Sequence, residues 1–327
     1  MRLAKPWITS MLVACGALST TIESAHAQAS YPQKPVKIVV PFAPGGASDI
    51  LARTLGLKFA ESTGQQFIIE NRPGAGGTLG AEMVAKSAPD GYTLLLSDVS
   101  VLTIAPRLYP KLGYTSEQLT PVANLATFAH ILIASPTSLL KTFGDVLAQE
   151  KARPGKFNVA SSGNGTSTHL TIEMVNLAAS TQLQHVPYKG GGAALTDVMG
   201  GQVDLMFIGT PPAMPLIQSG KLKALAVTTS KRMVSLPQVP TVAESGLPRF
   251  ESVAAQGLFA PAGTPREVIQ KLNSEVVRII RLPDVRAKWD QIGAEPVEDT
   301  PQQFSRWLAA EADKWGKLVQ ASGAKPD

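Results

Sequence analysis

The chain has 327 residues, of which 44% are hydrophobic and 17% are charged, and its formal net charge is +5 at pH 7. This composition excludes a disordered chain, and the length predicts about two domains. The basic excess is small and diffuse, with no run of Lys and Arg interleaved with aromatic residues, so we expect no nucleic-acid partner.

The first 27 residues have the pattern of a cleavable signal peptide. Arg2 and Lys5 form a short basic region, an apolar stretch covers residues 7–18, and Ala25-His26-Ala27 is an A-x-A cleavage site. No later stretch reaches the roughly 18 to 20 consecutive apolar residues that a membrane helix needs. We therefore expect a periplasmic protein, exported through a signal peptide of residues 1–27.

Cys15 is the only cysteine in the chain. Cleavage after Ala27 would leave a mature protein without a disulfide, a cysteine-ligated zinc or a thiol nucleophile. Alternatively, Leu12-Val13-Ala14-Cys15 resembles a lipoprotein cleavage box, which would leave a lipid on Cys15.

Apolar runs then alternate with amphipathic stretches, which predicts an α/β protein with mostly parallel sheets. Two such sets are separated by long apolar runs at 121–134 and 252–260, which would carry the chain out of a first domain and back. We predict domain I over 28–125 and 250–327, and domain II over 126–249. The first set has strands at 36–40, 67–70 and 93–97 and helices at 49–62 and 78–86; the second has strands at 158–161, 185–187, 205–208 and 224–228 and helices at 166–179 and 193–199.

Two helix starts are predicted near the carboxyl terminus. Thr264-Pro265-Arg266-Glu267 and Thr300-Pro301-Gln302-Gln303 each have the pattern of a capping box with proline in the first helical position.

The loop from the first strand into its helix is the first candidate site. Ligands of open α/β sheets bind beyond the carboxyl ends of the strands, and a glycine-rich turn at a helix start exposes N–H groups that attract an anion. Alternatively, the glycines only make the turn while Ser48 or Asp49 caps the helix. We predict that a carboxylate is held here by Phe42, Gly45, Gly46, Ala47, Ser48 and Asp49.

Residues 161–169 form a second such loop, which would close on the ligand from the other domain. We predict contacts from Ser162, Asn164, Gly165 and Thr166, although capping alone would explain Thr166 or Ser167. A third loop, 186–192, carries three consecutive glycines that let backbone approach a bound molecule. There we favour Tyr188 and the glycine amides over Lys189, which is expected to be solvated. Two further predicted contacts are Ser97 and Asp204, with a turn cap as the alternative role of Asp204.

Signals for an enzyme are weak. Gly74 to Gly80, with Asp98 about 20 residues on, approximates a dinucleotide-binding fingerprint, but its spacing is G-x-G-x-x-x-G and Pro73 intrudes. The three histidines of the mature chain are widely spaced, and no G-x-S-x-G, P-loop or H-E-x-x-H motif occurs. We therefore expect no catalysis, cofactor or metal. The alternatives are an exported enzyme with Asp49, Asp98 or Asp204 as general base, and a solute sensor that signals to a kinase.

Together the motifs resemble one family, the periplasmic receptors of tripartite tricarboxylate transporters, also called Bug receptors. The resemblance implies a periplasmic-binding-protein-like fold with a ligand cleft between two domains, a small organic carboxylate as ligand, and membrane permease subunits as partners of a monomer. It also implies that the loops 42–49 and 162–166 hold one carboxylate, without a metal. It rests on Val36 to Asp49, Asn71 to Gly77, Pro89 to Leu95, Ser162 to His169, Val186 to Gly190, Gly200 to Asp204, Pro240 to Glu244 and Phe259 to Pro265.

Two segments depart from that resemblance. Relatives often carry Gly-Thr-rich sequence and a His-Ala-x-Asn-Pro stretch where this chain has residues 97–106, and many have Trp within the segment 254–257. Val99, Val101 and Leu102, together with Ala254-Ala255-Gln256, would then make the far end of the pocket roomier and more apolar, which suits a bulkier aliphatic or aromatic acid. Alternatively, these side chains merely pack the domain interface.

Overall fold

The computed structural model describes Met1 and residues 31–326, and the fold below is that of the chain from Pro32 onward. Apart from Met1, the predicted signal peptide, with Cys15 and the Ala27 cleavage site, lies outside the described residues. No helix in the described part of the chain is long and apolar enough to cross a membrane.

The described strands join into one ten-stranded sheet, in the order β2-β1-β3-β9-β4-β7-β5-β6, with β8 and β10 also pairing with β4. The predicted strands are present, with ends that differ by one or two residues at most, because their β-branched and leucine-rich runs are buried within the sheet. The bounds are β1 Val36–Val40, β2 Phe67–Asn71, β3 Thr93–Asp98, β4 Leu119–Ala134, β5 Asn158–Ser161, β6 Gln184–Pro187, β7 Leu205–Gly209, β8 Lys223–Val227, β9 Val253–Pro261 and β10 Glu295–Pro296.

The sheet consists of two parallel groups bridged by antiparallel strands. In the first group β1 lies parallel to β2 and β3, and in the second β5 lies parallel to β6 and β7. The long apolar runs predicted to cross between domains are β4 and β9, which pair antiparallel with each other. Beyond its pairing with β9, β4 continues along β7 and β8. The predicted boundary between residues 125 and 126 thus falls inside β4, and the domain limits remain a prediction.

Eleven α-helices in the described residues connect and cover these strands. The predicted helices are again present within about two residues of their expected ends, because their apolar positions recur at helical spacing. The bounds are α1 Ala47–Thr63, α2 Thr78–Ala85, α3 Ser100–Thr103, α4 Ala105–Leu108, α5 Phe143–Ala152, α6 Ser167–Ala179, α7 Gly191–Met199, α8 Thr210–Gln218, α9 Arg266–Ile280, α10 Pro283–Gln291 and α11 Pro301–Ser322.

One of the two predicted capping boxes is confirmed and the other is wrong. The Thr300 hydroxyl accepts from the N–H of Gln303 at 3.2 Å, and the Gln303 side chain accepts from the N–H of Thr300 at 2.9 Å. Thr264 instead turns back and donates to the carbonyl oxygen of Pro261 at 2.7 Å, so α9 starts after Pro265 without a side-chain cap.

The hydrophobic core covers both faces of the second parallel group. Along β7, Phe207 belongs to one buried cluster, whereas its neighbours Met206 and Ile208 belong to another. This alternation follows from the two-residue period of a strand. The second parallel group is therefore packed against apolar side chains on both faces.

Candidate functional site

A cleft opens at the carboxyl ends of the parallel strands in both groups. It is lined by the loops after β1, β3, β5, β6 and β7 and by parts of β4 and β9. Among the residues predicted to bind the ligand, those that line it are Phe42, Gly46, Ala47, Ser48, Ser162 and Thr166.

The loop after β1 enters the cleft through backbone turns. Gly45 has φ +81°, a conformation that favours glycine, and Gly46 is the residue before helix α1. No side chain caps α1, so the alternative role of Ser48 or Asp49 as its cap is not observed. The Ser48 hydroxyl instead donates to Gln256 Oε1 on β9 at 2.6 Å, which ties the start of α1 to the floor of the cleft.

Asp49 lies behind this loop and does not line the cleft. Its carboxylate accepts from the N–H of Gly45 at 3.0 Å, from Arg53 Nη2 at 2.9 Å and from Asn71 Nδ2 at 3.0 Å. Burial raises the pKa of Asp49, but the hydrogen bonds from Arg53, Gly45 and Asn71 outweigh it and lower the pKa. The side chain therefore holds the loop in shape as a buried, charged acceptor.

The loop after β5 satisfies most of its own donors. The N–H of Gly163 donates to Ser161 Oγ at 3.0 Å, and that of Gly165 donates to His169 Nδ1 at 3.1 Å. Thr166 caps α6, since its hydroxyl accepts from the N–H of His169 at 3.4 Å. The loop amides predicted to cradle a carboxylate are thus partly used within the loop.

The donors that remain at the cleft are those of helix N-termini. In the first turn of a helix the N–H groups have no carbonyl partner within the helix. Ala47 and Ser48 start α1, Ser167 and Thr168 start α6, and Gly191 starts α7, and all five residues line the cleft. Three helix N-termini, each with a partial positive charge, therefore converge on one small space.

The loop after β6 touches the loop after β1 directly. Gly190 has φ +125°, and a side chain on Gly192 would collide with the carbonyl oxygen of Pro44. Only glycine permits this approach. Tyr188 points its hydroxyl at Asp197 Oδ2, at 2.6 Å, and does not line the cleft. Burial and Asp197 raise the pKa of Tyr188 to about 12.

A buried polar network forms one wall of the cleft. The Ser167 hydroxyl donates to Asp98 Oδ2 at 2.8 Å and lies 3.1 Å from His130 Nε2. Because Ser167 gives its only hydroxyl hydrogen to Asp98, His130 carries its proton on Nε2 and donates to Ser167. His130 Nδ1 is then an acceptor, 3.1 Å from the Thr171 hydroxyl and 3.2 Å from that of Ser252.

Burial shifts both titratable groups of this network towards their neutral forms. Burial raises the pKa of Asp98, against hydrogen bonds from Ser100 and Ser167 that lower it. Burial lowers the pKa of His130 to about 3, so the imidazole is neutral at ordinary pH. Asp98 and His130 are the ionisable side chains of the described cleft lining, and no Lys or Arg accompanies them there.

Several residues predicted at the site lie elsewhere. Ser97 is fully buried in β3 and donates to the carbonyl oxygen of Asp98. Asp204 precedes β7, at the strand end opposite the cleft, and accepts from the N–H of Asn158 at 2.9 Å, so it joins the start of β7 to the start of β5. The predicted residues that the structure does not place in the cleft lining are Gly45, Asp49, Ser97, Asn164, Gly165, Tyr188 and Asp204.

Sequence reasoning missed polar residues that line the cleft. Ser167 and Thr168 lie within the second predicted loop but are not among its predicted contacts, and Asp98 was weighed only as an enzyme residue. His130 and Gln256 lie in the middle of apolar strands, where no local signal marks them. Their neighbours in space are far away in the chain: pairing of β4 with β7 places His130, and pairing of β9 with β4 places Gln256.

Of the side chains expected to widen the pocket, Ala254 and Gln256 line the cleft, whereas those after β3 are core residues. Val99, Val101 and Leu102 pack in a buried cluster with Phe259 and Phe304 and do not line the cleft. The apolar part of the lining comes instead from Phe42, Phe128, Ile208, Pro212 and Ala254.

No three His, Cys, Asp or Glu side chains within residues 31–326 are grouped so that they could hold a metal ion. His169 and His185 stack with ring centroids 4.0 Å apart behind the second loop. Burial lowers the pKa of His169 to about 4 and, together with His169, lowers that of His185 to about 3. This pair supports the loop as neutral rings.

The chain is similar to known proteins in both sequence and structure. Residues 51–324 match the family model described as the tripartite tricarboxylate transporter family receptor. BugT of Bordetella pertussis is 37% identical over 298 residues, which cover 90% of this chain and 91% of BugT. An R. palustris protein solved with adipate is 33% identical, with a TM-score of 0.87 over 91% of this chain and 100% of that chain. MatC from Rhodopseudomonas palustris, solved with bound malate, is 35% identical, with a TM-score of 0.84 over 88% and 100%.

Proposed function

The chain belongs to the receptor family of tripartite tricarboxylate transporters, and we propose that it captures a small organic carboxylate and delivers it to the permease subunits of such a transporter. Its fold is the two-domain α/β fold of periplasmic binding proteins. The adipate and malate bound to two of its relatives support a ligand of this class.

The convergence of helix N-termini is the observation that carries this proposal. N–H groups at the starts of α1, α6 and α7 surround one space, and no Lys or Arg is among the described residues that line it. Each helix end stabilises an anion by about 0.3–1 kcal/mol at an exposed site and by more where it is partly buried. A carboxylate is thus held by neutral donors, which allows release to a permease.

The carbon skeleton of the ligand would lie against the apolar side of the cleft. Phe128 on β4, Ile208 on β7 and Ala254 on β9 line this side. Small-molecule sites combine such an apolar lining with few, well-placed polar groups. A mono- or dicarboxylate with an aliphatic or aromatic skeleton fits this description.

Export to the periplasm and a monomeric state are part of the same proposal. The basic, apolar and A-x-A segments of residues 1–27 support cleavage and export. A receptor that delivers its ligand to a membrane permease must capture that ligand outside the inner membrane.

The cleft network does not have the order of a hydrolytic triad. In such a triad the histidine lies between the serine and the aspartate and takes the serine proton. Here Ser167 lies between Asp98 and His130, and its hydroxyl donates to Asp98. A histidine whose pKa is about 3 is also a weak base near neutral pH. These observations support a binding role over an enzymatic one.

The test is calorimetric titration of the purified protein with a panel of mono- and dicarboxylates, aliphatic and aromatic. We expect at least one to bind, and Thr168→Val to weaken that binding because Thr168 lines the cleft. Thr229→Val, an equal change on a loop outside the cleft lining, is the control. Absence of binding across the panel, or turnover of a bound compound, would overturn the proposal.

Uptake distinguishes a transport receptor from a sensor. Cells that lack this protein should take up the identified carboxylate more slowly, and the intact gene should restore the rate. Unchanged uptake together with lost transcriptional response would assign the protein to sensing.

A further inference from the structure

Asp98 is a buried acidic side chain in a cleft proposed to bind an acid. It ends β3, is 8% exposed and lines the cleft together with Ser167 and Gln256. Its two carboxylate oxygens accept from the N–H of Ser100 at 2.8 Å and from the hydroxyl of Ser167 at 2.8 Å. Asp98 forms no ion pair within the described part of the chain, since the ion pairs found there involve other carboxylates.

The cleft contains no cation that could compensate this carboxylate. The described lining has no Lys or Arg, and His130, which reaches Asp98 through Ser167, is neutral. On its other side Asp98 shares a small cavity with Glu311, Trp307 and Trp315, and Glu311 is already paired with Lys314 at 3.5 Å, so that cavity supplies no cation to Asp98. Glu311 is itself held by the indole N–H of Trp315 at 2.8 Å.

A buried carboxylate without a cation is costly. Removing such a charge from water costs several kcal/mol unless it is paired, and two hydrogen bonds offset only part of that. A second ligand carboxylate near Asp98 would add like-charge repulsion, whereas an ammonium group there would complete an ion pair.

A turn contact alone does not require the charge. Asp98 Oδ1 accepts from the N–H of Ser100, two residues on, and the amide oxygen of Asn would accept this hydrogen bond equally well.

We propose that Asp98 is a specificity-determining residue, and that the cleft prefers a carboxylate bearing an ammonium group to a dicarboxylate of the same length. This inference rests on the proposed function. The carboxylate of the ligand lies at the helix N-termini, and its ammonium group faces Asp98.

Matched ligand pairs test the inference. Each of three pairs combines an amino acid with a dicarboxylate of the same chain length, so that the chain ends in a nitrogen in one member and in a carboxyl carbon in the other. The pairs are β-alanine with succinate, 4-aminobutyrate with glutarate, and 5-aminopentanoate with adipate. Two further pairs, alanine with lactate and aspartate with malate, test whether an ammonium group beside the carboxylate improves binding. In calorimetric titrations of the purified protein we expect the ammonium member of the best-bound pair to bind at least tenfold more tightly. Asp98→Asn should remove that preference.

Asp90→Asn is the matched control. Asp90 Oδ1 accepts from the N–H of Tyr92, two residues on, just as Asp98 Oδ1 accepts from the N–H of Ser100. Unlike Asp98, Asp90 lies on an exposed loop. The preference should persist in Asp90→Asn. If Asp98→Asn fails to fold, the comparison within the unmodified protein still decides the matter.

The outcomes separate this inference from the proposed function. Tighter binding of the dicarboxylates, binding only of carboxylates without an ammonium group, or an unchanged preference in Asp98→Asn would overturn the inference and leave the proposed function standing. Failure of every carboxylate to bind would overturn the proposed function itself, and the inference with it.

Discussion

The N–H of Ala43 donates a hydrogen bond to the carbonyl oxygen of Lys189 at 2.8 Å, joining the loop after β1 to the loop after β6. The two loops belong to different parallel groups of the sheet, so this bond spans the cleft. It uses backbone atoms on both sides, and the glycines beside it allow the approach. Closure of the site is thus independent of the side chain at position 189.

Lys189→Ala should change ligand affinity by less than about threefold, because the bond to Ala43 is made by the carbonyl oxygen and the side chain is exposed. Calorimetric titration with the identified ligand checks this. A loss of tenfold or more would mean that the lysine ammonium pairs with the ligand, contrary to the neutral-donor account.

Gly192→Ala should weaken binding by roughly tenfold or more, because the two loops approach too closely to leave room for a side chain at this position. The added methyl group would collide with the Pro44 carbonyl, whereas alanine is favourable within helix α7. Affinity and thermal unfolding are measured together. Gly144→Ala in α5, whose added methyl group would make only ordinary contacts, is the control. Equal affinity in both variants would show that the loops need not approach this closely.

Asp49→Ala should lower both stability and affinity although Asp49 does not line the cleft. The change leaves the Gly45 N–H, Arg53 and Asn71 without their shared acceptor, at a cost of about 1.5–3 kcal/mol in unfolding free energy. Urea unfolding and calorimetry measure the two effects. Glu61→Ala, which breaks an exposed pair with Lys58 on the same helix, should change neither. Unchanged affinity in Asp49→Ala would show that the loop holds its shape without the ion pair.

Thr166→Ala should destabilise the protein by about 1 kcal/mol and weaken binding, because Thr166 both caps α6 and lines the cleft. Thr166→Ser keeps the hydroxyl that donates to the Gly163 carbonyl at 2.7 Å, and should retain most of both properties. The same urea and calorimetric measurements apply. Equal losses in the two variants would point to packing of the threonine methyl group instead.

Acid should destabilise the protein through His130. The pKa of His130 is about 3 in the folded state and about 6.5 in an unfolded chain, so below pH 6.5 the unfolded state binds a proton that the folded state does not. Unfolding free energy should therefore fall by about 1.4 kcal/mol per pH unit between pH 6 and pH 4 from this group alone. The raised pKa of Asp98 acts in the opposite sense at the lower end of this window.

The contribution of His130 is the difference in slope between the parent protein and His130→Gln, measured by urea unfolding across that pH range. Contributions from His169 and His185 are common to both proteins and cancel. Parallel slopes would show that His130 is protonated, or becomes exposed, in the folded state.

Local sequence patterns predicted the framework and the loops that line the cleft. The run Val36–Val40 followed by Gly45 and Gly46 indicated a strand, a tight turn and a helix start, and all three are present. The second loop, from Ser162 to Thr166, was found in the same way. Strand, turn and helix-start signals lie within a few neighbouring residues, so they can be read without knowledge of the tertiary fold.

Tertiary structure decided which of the marked residues reach the cleft and which unmarked ones join them. The Asp49 side chain binds Arg53, one helical turn away, and Asp204 lies at the end of its strand that is far from the cleft. The sequence did not predict this, because a loop pattern does not indicate where a side chain points. Asp98, His130 and Ser167 are dozens of residues apart in the chain and come together only where β3, β4 and α6 meet. Whether a buried carboxylate has a cation beside it depends on such long-range contacts, and only the folded structure supplies them.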